Sequence, residues 1–149
     1  MHQINPNTTN KETILVVDDE LGLRESLQMI LSPFYEVHTA AEGEGALRFT
    51  NDNDVGLVIL DLHMPGLSGF EVLKEIKLFH SDTEVVIITG YATIKNAQEA
   101  VRLGAESFIQ KPFKVNDIMA VAAKSFVRRK NNLKLIEHIN TLQPPGYEN

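Results

Sequence analysis

Five residues of this 149-residue chain have types and placements that could do chemistry: the adjacent pair Asp18 and Asp19, then Asp61, Thr89 and Lys111. Each stands at the end of a short apolar run: ILVV before Asp18, VGLVIL before Asp61, EVVII before Thr89 and SFIQ before Lys111. Three carboxylates brought together repel one another and need a cation to stay charged. Hard oxygen donors suit magnesium, which binds through one or two carboxylates and keeps several waters. An ammonium and a hydroxyl are then left to contact an anion approaching the metal. Metal, ammonium and hydroxyl together complement a phosphoryl group in transfer, a reaction governed by positioning and electrostatics. A carboxylate can itself be the nucleophile and become an acyl phosphate. The set points to phosphoryl transfer.

Taken singly, each residue has a plainer explanation. An Asp pair after a strand often caps a helix. Asp61, just ahead of Pro65 and Gly66, could simply open a loop. Thr89 alone reads as a strand residue, and Lys111 before Pro112 as a solvated lysine. Their coincidence at four strand ends favours function.

The elements that must position these residues are legible as a pattern. Five apolar runs recur, at 14–18, 35–40, 55–61, 84–90 and 107–111. Three are nearly continuous in Val, Ile and Leu, as strands buried on both faces of a parallel sheet must be. The second and fifth are weaker and belong nearer the edges. Between the runs the apolar period becomes helical. Leu23, Leu27, Ile30 and Leu31 form one stripe, and Phe70, Leu73 and Ile76 another. Ile94, Ala97 and Val101 form a third, and Ile118, Ala122 and Phe126 begin a fourth. The shorter segment 42–50, with Ala46, Leu47 and Phe49, completes five helices. Pro33 stops the first helix, Ser68 with Glu71 has the spacing of a capping box, and Gly104 suits a left-handed helix end.

Strand and helix alternating five times predict an α/β fold of the flavodoxin-like, doubly wound (βα)5 kind, with parallel strand order 2-1-3-4-5. In such sheets ligands bind at the carboxyl ends of the strands. All five candidate residues fall on that rim. We expect a loose polar leader over 1–11, the folded domain over 12–128, and a helical extension and tail over 129–149. The extension carries Leu133, Leu135, Ile136, Ile139 and Leu142 up to Pro144-Pro145. It reads either as a partner-seeking amphipathic helix or as a frayed end.

Composition excludes several classes. A net charge of −6 argues against non-specific binding to nucleic acid or anionic membrane. Arg128-Arg129-Lys130 reads as a solvated helix face. The lack of cysteine excludes disulfides, thiolate zinc sites and thiol nucleophiles. No apolar run approaches the roughly 20 residues that span a bilayer, and the polar start MHQINPNTTNKE has no signal-peptide core. These features suit a cytoplasmic protein.

The same residues carry a resemblance. LVVDDE at 15–20, VILDLHMPGLSGFEVL at 58–73, IITGYA at 87–92 and FIQKPF at 108–113 resemble, in order, the receiver domains of two-component response regulators. The resemblance covers roughly residues 12–128 and implies transfer of phosphate from a histidine kinase, or a phosphotransfer protein, to aspartate. It makes Asp61 the phosphoacceptor, Asp19 a direct ligand of Mg2+ and Asp18 a ligand through water. His63 would offer its backbone carbonyl to the metal, not its imidazole. Lys111 and Thr89 would contact the phosphoryl oxygens, Gly90 would leave room for them, and the bond to Pro112 is often cis in this family. Phe108 falls where the family places a switch aromatic, here without a tyrosine hydroxyl; its alternative is an ordinary core phenylalanine. Tyr91 and His63 flank the site. The resemblance also implies an output by changed partner affinity, including a homodimer through the fourth helix–fifth strand–fifth helix face or through the C-terminal helix.

Two rivals remain open. A haloacid-dehalogenase-type phosphatase also uses an aspartate nucleophile and magnesium, but its two aspartates stand one residue apart after the first strand; here they are adjacent. A phosphate-independent interaction module would not need the complete set of five.

Overall fold

In the computed structural model, residues 10–142 are described. The predicted leader therefore lies largely outside the described residues, as does the tail containing Pro144-Pro145.

Five strands, β1 (Thr13–Val17), β2 (Glu36–Ala40), β3 (Leu57–Leu60), β4 (Glu84–Thr89) and β5 (Ser107–Gln110), alternate with five helices. These are α1 (Leu21–Leu31), α2 (Gly43–Asp52), α3 (Gly69–Phe79), α4 (Ile94–Arg102) and α5 (Val115–Leu142). The sheet is wholly parallel in the order β2-β1-β3-β4-β5, as expected, with the two weaker strands at its edges.

The continuous apolar strands make sense once their side chains are sorted by face, because successive residues point to opposite sides. Leu15, Val17, Val58, Leu60, Val85 and Ile87 meet Ala46 of α2, Val72, Leu73 and Ile76 of α3, and Ala100 of α4. Ile14, Val16, Leu57, Ile59, Val86 and Ile88 meet Leu27 and Leu31 of α1 and Ile118 and Ala122 of α5. The register Val17↔Leu60 and Leu60↔Ile87 brings the carboxyl ends of the three central strands level.

The punctuation acts as read. The α1 helix ends at Leu31, two residues before Pro33. The capping box is complete, with Ser68 accepting from the Glu71 N–H and the Glu71 carboxylate accepting from the Ser68 N–H. Gly104 has φ +101°, a left-handed conformation that only glycine adopts cheaply.

Two expectations are corrected. The third helical stripe is not a core stripe: Ile94 is 80% and Val101 68% exposed, while Ala100, with Leu103 beyond the helix end, packs on the sheet. Ile94 and Val101 lie seven residues apart on a different side of α4 from Ala100, with half-buried Ala97 between them, and period alone cannot say which side faces inward. Nor is the basic run on α5 simply solvated. Arg128 and Arg129 are half-buried among carboxylates, and only Lys130 is exposed. Among the described residues no helix is long and apolar enough to cross a membrane.

Candidate functional site

Each candidate residue is set in place by the end of a strand. The ladder runs one step past β1 and β3: the Asp18 N–H donates to the Ala40 carbonyl at 3.1 Å, and the Asp61 N–H to the Val17 carbonyl at 3.0 Å. Asp61 is thereby held beside Asp18 at the centre of the rim. The Lys111 N–H donates to the Thr89 carbonyl at 2.8 Å, which fixes the end of β5 against the end of β4.

The side chains converge as the spacing requires. One carboxylate oxygen each from Asp18, Asp19 and Asp61 can be chosen so that all three lie within 4.8 Å of one another. Asp18 and Asp61 are buried and Asp19 is exposed, so the cluster opens to solvent on one side. Lys111, contributed from a strand two places away, donates through Nζ to Asp18 Oδ2 at 2.8 Å and to Asp61 Oδ2 at 3.2 Å. Asp18 also accepts the Glu20 N–H at 2.9 Å, and its carbonyl accepts from Arg24. The N-cap of α1 is Glu20, with no side-chain cap bond, so Asp18 is more than a helix cap.

Electrostatics follow from this crowding. Burial, then the Asp18 charge, pushes the Asp61 carboxyl above its ordinary value, against Lys111 and the His63 N–H. Burial acts to lower the Lys111 ammonium, but its bonds and charge interactions with Asp18 and Asp61 outweigh that and raise it. A cluster in which burial and like charge oppose ionisation gains most from a hard divalent cation, and three carboxylates are the donors such an ion prefers. The residues present therefore fit a metal.

Around this centre the remaining candidates fall into place unevenly. Thr89 is fully buried at the end of β4, and its hydroxyl accepts the Tyr91 N–H at 3.1 Å; no hydrogen bond joins it to Asp61. A Cβ added at Gly90 would meet nothing within 4 Å. His63 is exposed, its N–H donates to Asp61 Oδ1 at 3.3 Å, and its ring lies 4.2 Å from that of Tyr91. The Lys111–Pro112 peptide is cis. Phe108 is partly buried against the α2–α3–α4 core.

Sequence reasoning missed Gly69. A Cβ there would collide with the Asp61 carbonyl oxygen and sit 2.6 Å from Leu62 Cα, so only glycine lets α3 start against the loop that carries Asp61. Its position directly after the Ser68 cap was the available signal.

Comparison with known proteins decides the family. The response regulator receiver domain matches residues 14–123. The chain belongs to that family. A receiver domain is a phosphorylation-dependent switch of two-component signalling, and that is the function of the folded region here. The receiver is 35% identical over 122 residues to the sporulation initiation phosphotransferase F of Bacillus subtilis (strain 168), covering 81% of this chain and 98% of that protein. It is 38% identical over 124 residues to a probable transcriptional regulator, ycf27, of Cyanophora paradoxa, covering 83% of this chain but only 51% of that protein. The chain thus spans about half the length of several curated regulators it matches. Among solved structures, the receiver domain of NtrX from Brucella abortus is 41% identical with a TM-score of 0.72, covering 76% of this chain and 97% of that one.

Proposed function

We propose that this receiver accepts a phosphoryl group on Asp61 from the phosphohistidine of a histidine kinase or phosphotransfer protein, and that the acyl phosphate changes its affinity for a partner. The supporting observation is the convergence of three carboxylates with Lys111, drawn from three separate strand ends. Asp18, Asp19, Asp61 and the His63 backbone carbonyl would hold Mg2+, which when bound would neutralise the carboxylates and favour charge on the transferring oxygens.

Asp61 attacks phosphorus in line with the departing imidazole nitrogen; the P–N bond breaks as the new O–P bond forms. Lys111, already within 3.2 Å of Asp61, turns its ammonium to the phosphoryl oxygens. The Thr89 hydroxyl leaves the Tyr91 N–H to donate to the same group. The space it vacates admits Phe108, and the surface of α4, β5 and α5 shifts between two states. Reversing a 1:99 population takes roughly 5.5 kcal/mol of differential stabilisation. The chain catalyses only its own phosphoryl acceptance and loss, and acts in the cytoplasm. Residues 12–128 are the receiver and 129–149 its helical extension or linker and tail. A second copy docking through the α4–β5–α5 face or the extension is one form the output takes.

Incubation with radiolabelled acetyl phosphate and magnesium tests the assignment. Labelling that requires Asp61 and magnesium is expected, and persistent labelling of Asp61→Asn protein would refute it. Steady turnover of an external phosphate ester dependent on Asp18, with Asp61 dispensable, would favour the phosphatase rival.

A further inference from the structure

Arg128 and Arg129 stand where α5 clears the sheet. Ser125, one turn earlier, is buried, whereas every residue from Lys130 to Leu142 is exposed. Consecutive helical residues project about 100° apart, and the two guanidinium groups reach different acids. Arg128 donates to Glu106 and lies 3.9 Å from the buried Oε2 of Glu84, an atom with no hydrogen-bond partner. Arg129 donates to Asp54 Oδ1 at 3.0 Å, to Asp82 Oδ2 at 3.3 Å and to the Asp82 carbonyl at 3.1 Å, with a Glu12 carboxylate oxygen 3.8 Å away. Its side chain is only 11% exposed.

These acids lead into or begin β1, β3, β4 and β5. Two neighbouring residues of one helix thus grip the amino ends of four strands. A helix held by one polar side chain can still roll about its axis and swing. Arg129 bonds through Nε and Nη2 and Arg128 through Nη1, and two such planar anchors about 100° apart restrain roll and tilt together. Beyond them α5 runs on to Leu142, about 20 Å at 1.5 Å per residue, carrying exposed Leu135, Ile136, Ile139 and Leu142.

We infer that the Arg128–Arg129 pair is a lock that fixes the roll and direction of the α5 overhang, so that domain and overhang move as one lever. The strands that Arg128 holds at their amino ends are β4, which ends at Thr89, and β5, which leads into Lys111. On the phosphoryl-acceptor reading, a displacement of either strand at that rim reaches the overhang through Arg128. The lock itself does not depend on that reading.

The chain has no cysteine, so spin labels can be placed at Lys74→Cys and Glu137→Cys without background. Pulsed dipolar distances on the unphosphorylated protein should give a narrow distribution in the parent. Arg129→Ala should broaden it roughly twofold, and Arg128→Ala with Arg129→Ala further, as local order is lost. Lys130→Ala should leave it unchanged. A broad parent distribution, or the same width in the double variant, overturns the lock. Should the double variant not fold, Asp54→Ala with Asp82→Ala removes both carboxylate partners of Arg129 instead: broadening supports the lock and an unchanged width overturns it. Acetyl phosphate labelling is scored separately, so failure of the lock and failure of the acceptor assignment are distinguishable.

Discussion

At the carboxyl end of the sheet Asp18 and Asp61, beside Asp19, share one ammonium, Lys111, whereas at the amino end Glu12, Asp54, Asp82, Glu84 and Glu106 surround two guanidinium groups. The first cluster is compact and has one ammonium as its built-in counter-ion. The second is spread over four strand starts and supplied with planar forks. Lysine is a point charge on a flexible stem that can change partners, while arginine holds several acceptors in fixed geometry. One end therefore has a cation free to change partners, and the other has its cations fixed among several acceptors.

This contrast can be broken most decisively at Asp61. Asp61→Asn should reduce acetyl phosphate labelling by at least about a thousandfold, the order expected when a nucleophile is lost. It should also raise the melting temperature, because burial and Asp18 oppose ionisation of Asp61. A lower melting temperature would mean that this end is structural too. Gly69→Ala should cost roughly 3 kcal/mol in denaturant unfolding, since the added carbon meets the Asp61–Leu62 backbone. An unperturbed variant would show that the approach of α3 to the loop carrying Asp61 is not tight.

At the opposite end, burial and then Glu106 push Glu84 up to about 7, against Lys77 and Arg128. The folded protein then binds more protons than the unfolded chain between about pH 4.5 and 7. This group's contribution is present below that window and is lost as pH rises through it. Glu84→Gln should remove that dependence and stabilise the protein above pH 7 by on the order of 2 kcal/mol. Parallel stability curves for parent and variant from pH 5 to 8 would rule this out. Magnesium should stabilise the parent by about 1–2 kcal/mol at concentrations tenfold or more above its dissociation constant, and Asp61→Asn far less. Equal shifts in thermal melts would place the ion elsewhere. Smallest of all, Asp54→Asn removes the charge of one exposed partner of Arg129 and should cost under about 0.5 kcal/mol. A larger loss would show that the amino-end network acts as a unit.

How far these two ends were legible in the sequence differs for a physical reason. The carboxyl-end residues each follow directly on an apolar run, so strand pattern and a parallel topology placed all of them on one rim. The edge positions of β2 and β5, the Ser68–Glu71 box and the left-handed Gly104 were readable by the same local logic, whereas the strand order followed from the usual topology of five-stranded parallel sheets, which periodicity alone does not give. The amino-end network was not, because its acids are scattered from Glu12 to Glu106 and only tertiary structure shows that they meet Arg128 and Arg129. The inward side of α4 was also misjudged. Small Ala100 lies against the sheet and leaves the larger Ile94 and Val101 outside, which reverses the usual weight given to bulky residues. Gly69 needed knowledge of how closely α3 approaches Asp61, and no periodicity encodes that.

The lysine bridging Asp18 and Asp61 carries one last implication, for valence. With all three aspartates ionised, the site holds two more negative charges than positive ones. A single doubly charged ion brings that surplus to electroneutrality, whereas sodium or potassium leaves half of it standing. Discrimination by charge is thus set by the count of acids and the one built-in counter-ion, before coordination geometry acts on size.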